Sequence, residues 1–171
     1  HNNAFTSFGD GHGVWEKDGG PLLPFYARNF RNVTQWIQRV EPAQLVPTIV
    51  KLQVEPEQRQ PWEPSFAEAP PAPGVTRSLG GTVDRIQSHG LDLSKVLSAQ
   101  GSGLVWAAVR DGEPVSRSKP ASSREDQTRA TIVQVTNLGI TVKDSPQNTL
   151  LLVTRLDNRG GTGRRGRGHR G

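Results

Sequence analysis

Hydrophobic and polar positions alternate most regularly between Arg129 and Leu156, where three extended apolar runs follow one another: Ala130–Thr136, Leu138–Val142 and Thr149–Leu156. Each is rich in Val, Ile, Leu and Thr, side chains that suit a pleated, half-buried surface. Leu138, Ile140 and Val142 alternate with Gly139 and Thr141, predicting a strand with one buried and one wet face. Leu150–Val153 is apolar on both faces, as in a strand inside a sandwich. Asn137 and Gly139 break the first two runs apart, and Asp144–Asn148 supplies turn chemistry before the third.

Earlier in the chain the same reading predicts strands over Leu22–Ala27 and Val33–Val40, joined by a turn near Arg28–Asn32. In the second, Trp36 and Ile37 should face opposite sides of the sheet. A helical reading of Thr34–Val40 competes, but β-branched residues weigh against it. Glu41-Pro42 can open a short helix in which Leu45, Ile49 and Leu52 share one face. Pro47 should kink or shorten it. Further strands are predicted over Gly81–Ser88 and, fully apolar, over Leu104–Val109. Residues 1–20 read as a polar, glycine-rich loop. Residues 55–74, with six prolines, read as a long loop that Trp62 and Phe66 pin to a domain surface. Many short strands with frequent turns and little helix predict an all-β, antiparallel sandwich.

Composition agrees: 13 prolines and 19 glycines in 171 residues favour short strands and many turns. No run approaches the roughly 20 apolar residues that span a bilayer, so direct membrane insertion is not expected. The N-terminus lacks the basic-then-apolar pattern of a signal peptide. With no Met anywhere, the chain reads as a fragment of a longer one. The absence of cysteine excludes disulfides, thiolate metal sites and thiol catalysis within it.

The net charge of +5 suggests nucleic acid until it is located. Arg159, Arg164, Arg165, Arg167 and Arg170 all lie in the tail RGGTGRRGRGHRG; without them 16 basic residues face 16 acidic ones. The pI of 10.2 describes a tail rather than a domain. Flexible Arg/Gly segments can bind RNA through phosphate charge and stacking, but thirteen residues beside a neutral body carry that reading weakly.

No catalytic, cofactor-binding or metal-ligating residue is assigned. His1, His12, His89 and His169 lack metal-ligand spacing, and Asp10, His12 and Glu16 sit in a glycine-rich loop that is a poor scaffold for ligands. Gly101-Ser102-Gly103 is not a nucleophile elbow. Ser88, His89 and Asp92 lie too close in sequence to converge as a triad. Asn32-Val33-Thr34 matches the N-glycosylation pattern, a triplet common by chance. Trp15, Tyr26, Trp36, Trp62 and Trp106 suit separate packing positions better than one sugar or base platform.

Ala130–Leu138 (ATIVQVTNL), the following GITVK and Thr149–Arg155 (TLLLVTR) together resemble the bacterial α2-macroglobulins, which carry a similar "VTDLG(L/I)…K…LLVWVTDL" junction between successive domains. Phe25–Val33 (FYARNFRNV) is similar to the opening strands of the preceding domain, and Leu104–Val109 to a "GLYLVEA"-like strand before the junction. The resemblance extends over roughly Gly9–Asn158. It implies a fibronectin-like macroglobulin β-sandwich with a short helix over residues 21–137, preceded by an upstream linker (1–20). The first strands of a second, truncated sandwich would follow over 138–158.

Members of this family trap proteases: cleavage of a bait region triggers collapse around the target, often aided by a Cys–Gln thioester. With no Cys, this chain holds no thioester and would be a non-catalytic, periplasmic or secreted scaffold segment whose parent is lipid-anchored in some cases. Its partners would be neighbouring macroglobulin-like domains and, through the whole protein, target proteases; no nucleic acid or cofactor is expected. From Arg159 the family's "G-x-P-V-x-G-A" continuation is replaced by the Arg/Gly tail (159–171), expected to be disordered and an artefact of a shifted reading frame or contig end. The alternatives are a nucleic-acid-binding β module with an Arg/Gly arm and a carbohydrate-binding accessory sandwich.

Overall fold

A computed structural model describes residues 4–9, 13–52, 66–80, 83–115, 127–144 and 149–155. The chain divides into two compact units after Thr136. The first contains β1 (Phe5–Ser7), β2 (Gly13–Glu16), β3 (Leu22–Arg28), β4 (Asn32–Val40), α1 (Leu45–Leu52), β5 (Val75–Ser78), β6 (Gln87–Asp92), β7 (Gly103–Asp111) and β8 (Thr128–Thr136). The second contains an antiparallel pair, β9 (Leu138–Asp144) and β10 (Thr149–Arg155).

Two sheets build the first unit: a three-stranded one in the order β1-β3-β6 and a five-stranded one in the order β2-β8-β7-β4-β5. Odd-numbered residues of the long strands face the space between the sheets. Val33 and Ile37 of β4, Val105, Ala107 and Val109 of β7, and Val133 and Val135 of β8 meet Leu23, Phe25 and Ala27 of β3 and Leu91 of β6 there. Even-numbered residues form a second core on the outer face: Trp36, Val40, Trp106, Ala108, Ala130 and Ile132 pack with Leu52, Leu45 and Ile49 of α1 and with Phe66 and Ala69. The five-stranded sheet is therefore buried on both sides. This accounts for the unbroken apolar run Leu104–Val109, since a one-sided strand would alternate.

On the outer face, the large Trp36 ring is matched with small cross-strand neighbours. Trp36 lies opposite Ala108, and Ala108 opposite Ala130; Trp106 lies opposite Ile132. The Trp36 indole thus has small neighbours beside it, Trp106 pairs with a β-branched one, and aromatic–β-branched cross-strand pairs stabilise a sheet. Both indoles are nearly inaccessible, yet neither N–H is lost. Trp36 Nε1 donates to Ala72 O at 2.9 Å, and Trp106 Nε1 to Glu68 O at 3.0 Å. Ala130 N donates to Phe66 O at 3.0 Å. Phe66 pins the end of the proline-rich segment, as the sequence predicts; Trp62 lies outside the described residues. Gly74 completes the fit, because a Cβ there would run into the Trp36 ring.

α1 follows a short 3₁₀ turn at Pro42–Gln44, which puts Pro47 in the first turn of the α-helix, where a backbone N–H has no helical acceptor. The α-helix is accordingly short, eight residues, with the proline near its start. Leu45, Ile49 and Leu52 face the sheet, while Val46 and Val50 face outward.

Three sequence expectations are corrected. Residues 5–7 and 13–16, read as loop, are strands. They are short, and their partners are distant: β1 pairs with β3 from Phe5↔Arg28 to Ser7↔Tyr26, and β2 with β8 from Gly13↔Val133 to Glu16↔Thr136. The β2–β8 pair is also parallel, so the sandwich is not wholly antiparallel. The strand expected at Gly81–Ser88 lies later, at Gln87–Asp92, after a turn in which Asp84 takes a left-handed φ of 61°. β5 forms just after the proline-rich loop, over residues to which the sequence reading assigns no element. The Arg/Gly tail lies outside the described residues.

Because Trp106 fills the outer core and anchors the 66–72 segment, Trp106→Ala should destabilise the unit by about 3–5 kcal/mol. Val50→Ala on the exposed side of α1 should stay within about 0.5 kcal/mol. Chemical denaturation of the two variants beside the parent chain measures both.

Candidate functional site

Ser88, His89 and Asp92 share β6 but do not converge. His89 faces the inter-sheet core and stacks on Phe25 with centroids 5.2 Å apart. Ser88 and Asp92, at even positions, face the other way. Asp92 accepts a bond from Ser94 N at 2.9 Å, an Asx turn at the strand end. The side-chain and backbone hydrogen bonds of Ser94 hold the exposed Asp92 carboxyl below its ordinary value, which favours the charged form of a turn residue. Ser102 belongs to another turn: Ser98 N donates to Ser102 O at 2.9 Å, Gly101 N to Ser98 O at 2.8 Å, and Gly101 takes a φ of 75°. Among the described residues, the partner of that hydroxyl is Ser98 Oγ at 3.2 Å.

Asp10 and His12 lie outside the described residues, and Glu16 ends β2 as an exposed side chain. Among the described residues no group of three His, Asp or Glu side chains is arranged to hold a metal ion. Asn32 of the Asn-Val-Thr triplet opens β4, and its Oδ1 accepts a bond from Glu113 N at 3.2 Å. Gly112 is required beside it, since a Cβ there would collide with the Asn32 backbone and side-chain oxygens. Trp36 and Trp106 are buried, Tyr26 is half-exposed on the outer side of the three-stranded sheet, and the Trp15 N–H donates to Gly20 O at 3.1 Å. The four aromatics with described positions do not form one platform.

Three polar constellations escape sequence reading because their members are far apart in the chain. The first lies between the sheets: Thr6 Oγ1 donates to Asp111 Oδ1 at 2.6 Å, with both residues buried. A carboxylate in such a place is tolerable only when it is hydrogen-bonded. The second joins two loops: Asn29 Nδ2 donates to Asp84 Oδ1 at 2.9 Å, and Asp84 N to Asn29 Oδ1 at 2.7 Å. Both residues have left-handed φ, 63° and 61°, a conformation that Asn and Asp tolerate better than bulkier side chains.

The third constellation closes an edge of the sandwich. Arg77 of β5, the outermost strand of the larger sheet, donates Nη1–H to Gly90 O of β6, the outermost strand of the smaller, at 2.6 Å. The same guanidinium lies 5.9 Å from the Phe25 ring centroid. Burial first, and then the charge of Arg77, lower the pKa of His89 below its ordinary value of 6.5. The folded state therefore favours the neutral ring. The stability this preference confers is present above pH 6.5 and is lost as pH falls through the lower folded value.

Thr6→Val keeps the shape but removes a donor to Asp111 and should cost about 1–3 kcal/mol. Thr6→Ser, which keeps the hydroxyl, should recover most of that loss. Thermal or urea unfolding near neutral pH distinguishes the pair.

These features describe a sandwich held together by buried contacts across and around its sheets. No family model and no curated protein sequence matches the chain. Among solved structures, it is similar to native α2-macroglobulin from Escherichia coli in a fragment spanning domains NIE-MG1, with 16% identity and a TM-score of 0.54, covering 90% of this chain and 70% of that one. A longer fragment of the same protein, spanning MG0-NIE-MG1, gives 19% identity and a TM-score of 0.46 over 81% of this chain and 41% of that one. The chain thus has the fold of a bacterial macroglobulin-like fragment.

Proposed function

We propose that the chain is a non-catalytic scaffold segment of an α2-macroglobulin-like, protease-trapping inhibitor. The observation that carries this reading is the likeness to the E. coli NIE-MG1 fragment over 90% of the chain. Internal construction is in keeping with it. The sheet that spans the first unit is covered on both faces, and the polar side chains placed above tie strands and loops to one another. The role is mechanical: a stiff sandwich keeps adjoining domains in register through inter-domain contacts of modest area. Partners are then the neighbouring macroglobulin-like domains and, through the whole inhibitor, the trapped proteases. The setting is periplasmic or secreted.

Against the carbohydrate-binding alternative, Trp36 and Trp106 are enclosed and commit their N–H groups to backbone carbonyls, so neither ring can stack on a sugar. The nucleic-acid alternative rests on the Arg/Gly tail; the rest of the chain is electrically balanced. A tail-dependent affinity for RNA that falls steeply with salt would favour that alternative.

The test compares the 171-residue chain with the full-length protein that carries it. The isolated chain should neither inhibit a panel of endopeptidases nor hydrolyse their substrates. The full-length protein should block cleavage of large protein substrates while sparing small peptide substrates, the behaviour of a caged protease. Inhibition by the isolated chain, or a full-length protein that spares large substrates too, would overturn the scaffold assignment.

A further inference from the structure

Among the described residues, β5 and β6 each pair with a neighbour on one side only, β5 with β4 and β6 with β3. No ladder hydrogen bonds join the two strands, which belong to different sheets. Arg77 Nη1 ties them by donating to Gly90 O. Beside it, Phe25 is fully buried and serves two partners, the Arg77 guanidinium at 5.9 Å and the His89 imidazole at 5.2 Å with a 28° interplanar angle. His89 Nε2 is buried without a hydrogen-bond partner. A proton added to the ring would therefore find no acceptor at that nitrogen, and a guanidinium charge close by.

Across the larger sheet, Arg77 and Asp111 flank Val33 in one cross-strand row; Asp111 is the acid on this side of the sheet, and its Oδ1 accepts the Thr6 hydroxyl. β3 presents Leu23, Phe25 and Ala27 to this core and β4 presents Val33, Gln35 and Ile37, all uncharged. The residues on the same side of β6, Gln87 and Leu91, are uncharged as well. Asp92, the nearest acid along β6, lies on the opposite face of the strand and is engaged by Ser94. Arg77 is the cation whose charge acts on the ring.

We propose that His89 and Arg77 form an acid-released latch across the β5–β6 edge: proton uptake by His89 sets two cations against one aromatic ring, and Arg77 gives up the Gly90 carbonyl. The direction of the His89 titration, toward the neutral ring in the folded state, agrees with this. At neutral pH the two sheets are tied along this edge. In acid the edge loosens while the paired centre of the larger sheet stays closed, so the scaffold gains a local hinge instead of unfolding. The latch belongs to the first unit alone and does not depend on the proposed role in protease trapping.

Amide hydrogen exchange on the whole chain tests it, with protection factors compared at about pH 7.5 and about pH 5, the range over which histidine titrates. Acidification should lower protection in β6 at least about tenfold, the size of effect that loss of one charge-assisted hydrogen bond produces, with β7 and β8 little changed. His89→Gln should keep β6 protected at both pH values, and Arg77→Gln should leave it weakly protected at both. Equal losses in β6, β7 and β8, or a His89→Gln chain that still loosens in acid, would overturn the latch. Should His89→Gln fail to fold, the parent chain decides by NMR. Coincident midpoints for the His89 ring protons and the Gly90 amide support the latch, and a Gly90 signal that ignores the His89 titration overturns it.

Discussion

Burial of the five-stranded sheet on both faces is the constraint from which the rest of the first unit follows. A sheet with one wet face needs a single apolar layer; this one needs two, and the smaller three-stranded sheet supplies only the inner cover. The outer cover comes from α1 and the 66–72 segment, neither of which has an extended hydrogen-bonded ladder to hold it there. The two tryptophans solve that problem. Each contributes a large apolar ring to the outer core, and each uses its N–H to grip a carbonyl of the covering segment, at Glu68 and at Ala72. Alanines at 108 and 130 supply the space, and Gly74 lets the chain cross Trp36 closely.

The inner core obeys a different rule. It is apolar through most of its extent and admits polar groups where strands from the two sheets must be tied. Thr6–Asp111 ties the first strand to the end of β7, and Arg77–Gly90 ties the outermost strands of the two sheets. One tie is a bond between two side chains enclosed by the core. The other leans on a buried aromatic ring near a titratable neighbour, so its strength depends on the solution in a way that the first does not.

Much of this was readable from local pattern. The strands at Val33–Val40, Leu104–Val109 and Ala130–Thr136 announce themselves through β-branched and apolar runs, and the opposed directions of Trp36 and Ile37 follow from period two. The position of α1 follows from Leu45, Ile49 and Leu52. What stayed hidden depends on residues remote in the chain. Phe5–Ser7 and Gly13–Glu16 are three and four residues long and have no pattern of their own; they are strands because β3 and β8 offer them an edge. β5 is half hidden by the prolines before it. Ser88 and Ser102, which the sequence offers no reason to read as catalytic, lie in a strand and a turn. The informative polar pairs, Thr6–Asp111 and Asn29–Asp84, carry no sequence spacing that could have announced them.

The parallel pairing of Gly13–Glu16 with Val133–Thr136 joins one of the first strands of the unit to its last. During synthesis β2 emerges early and must wait, unpaired, until nearly the whole unit has left the ribosome. Folding of this edge is accordingly a late, long-range event, of the kind that makes β topologies slow. Until it happens, the outward side of β8, with Val133 and Val135 nearby, is an uncovered strand edge open to pairing with another chain. The N-terminal residues that read as a mere lead-in thus act as the closing strip of the sheet, and the yield of folded protein depends on how quickly they find their place.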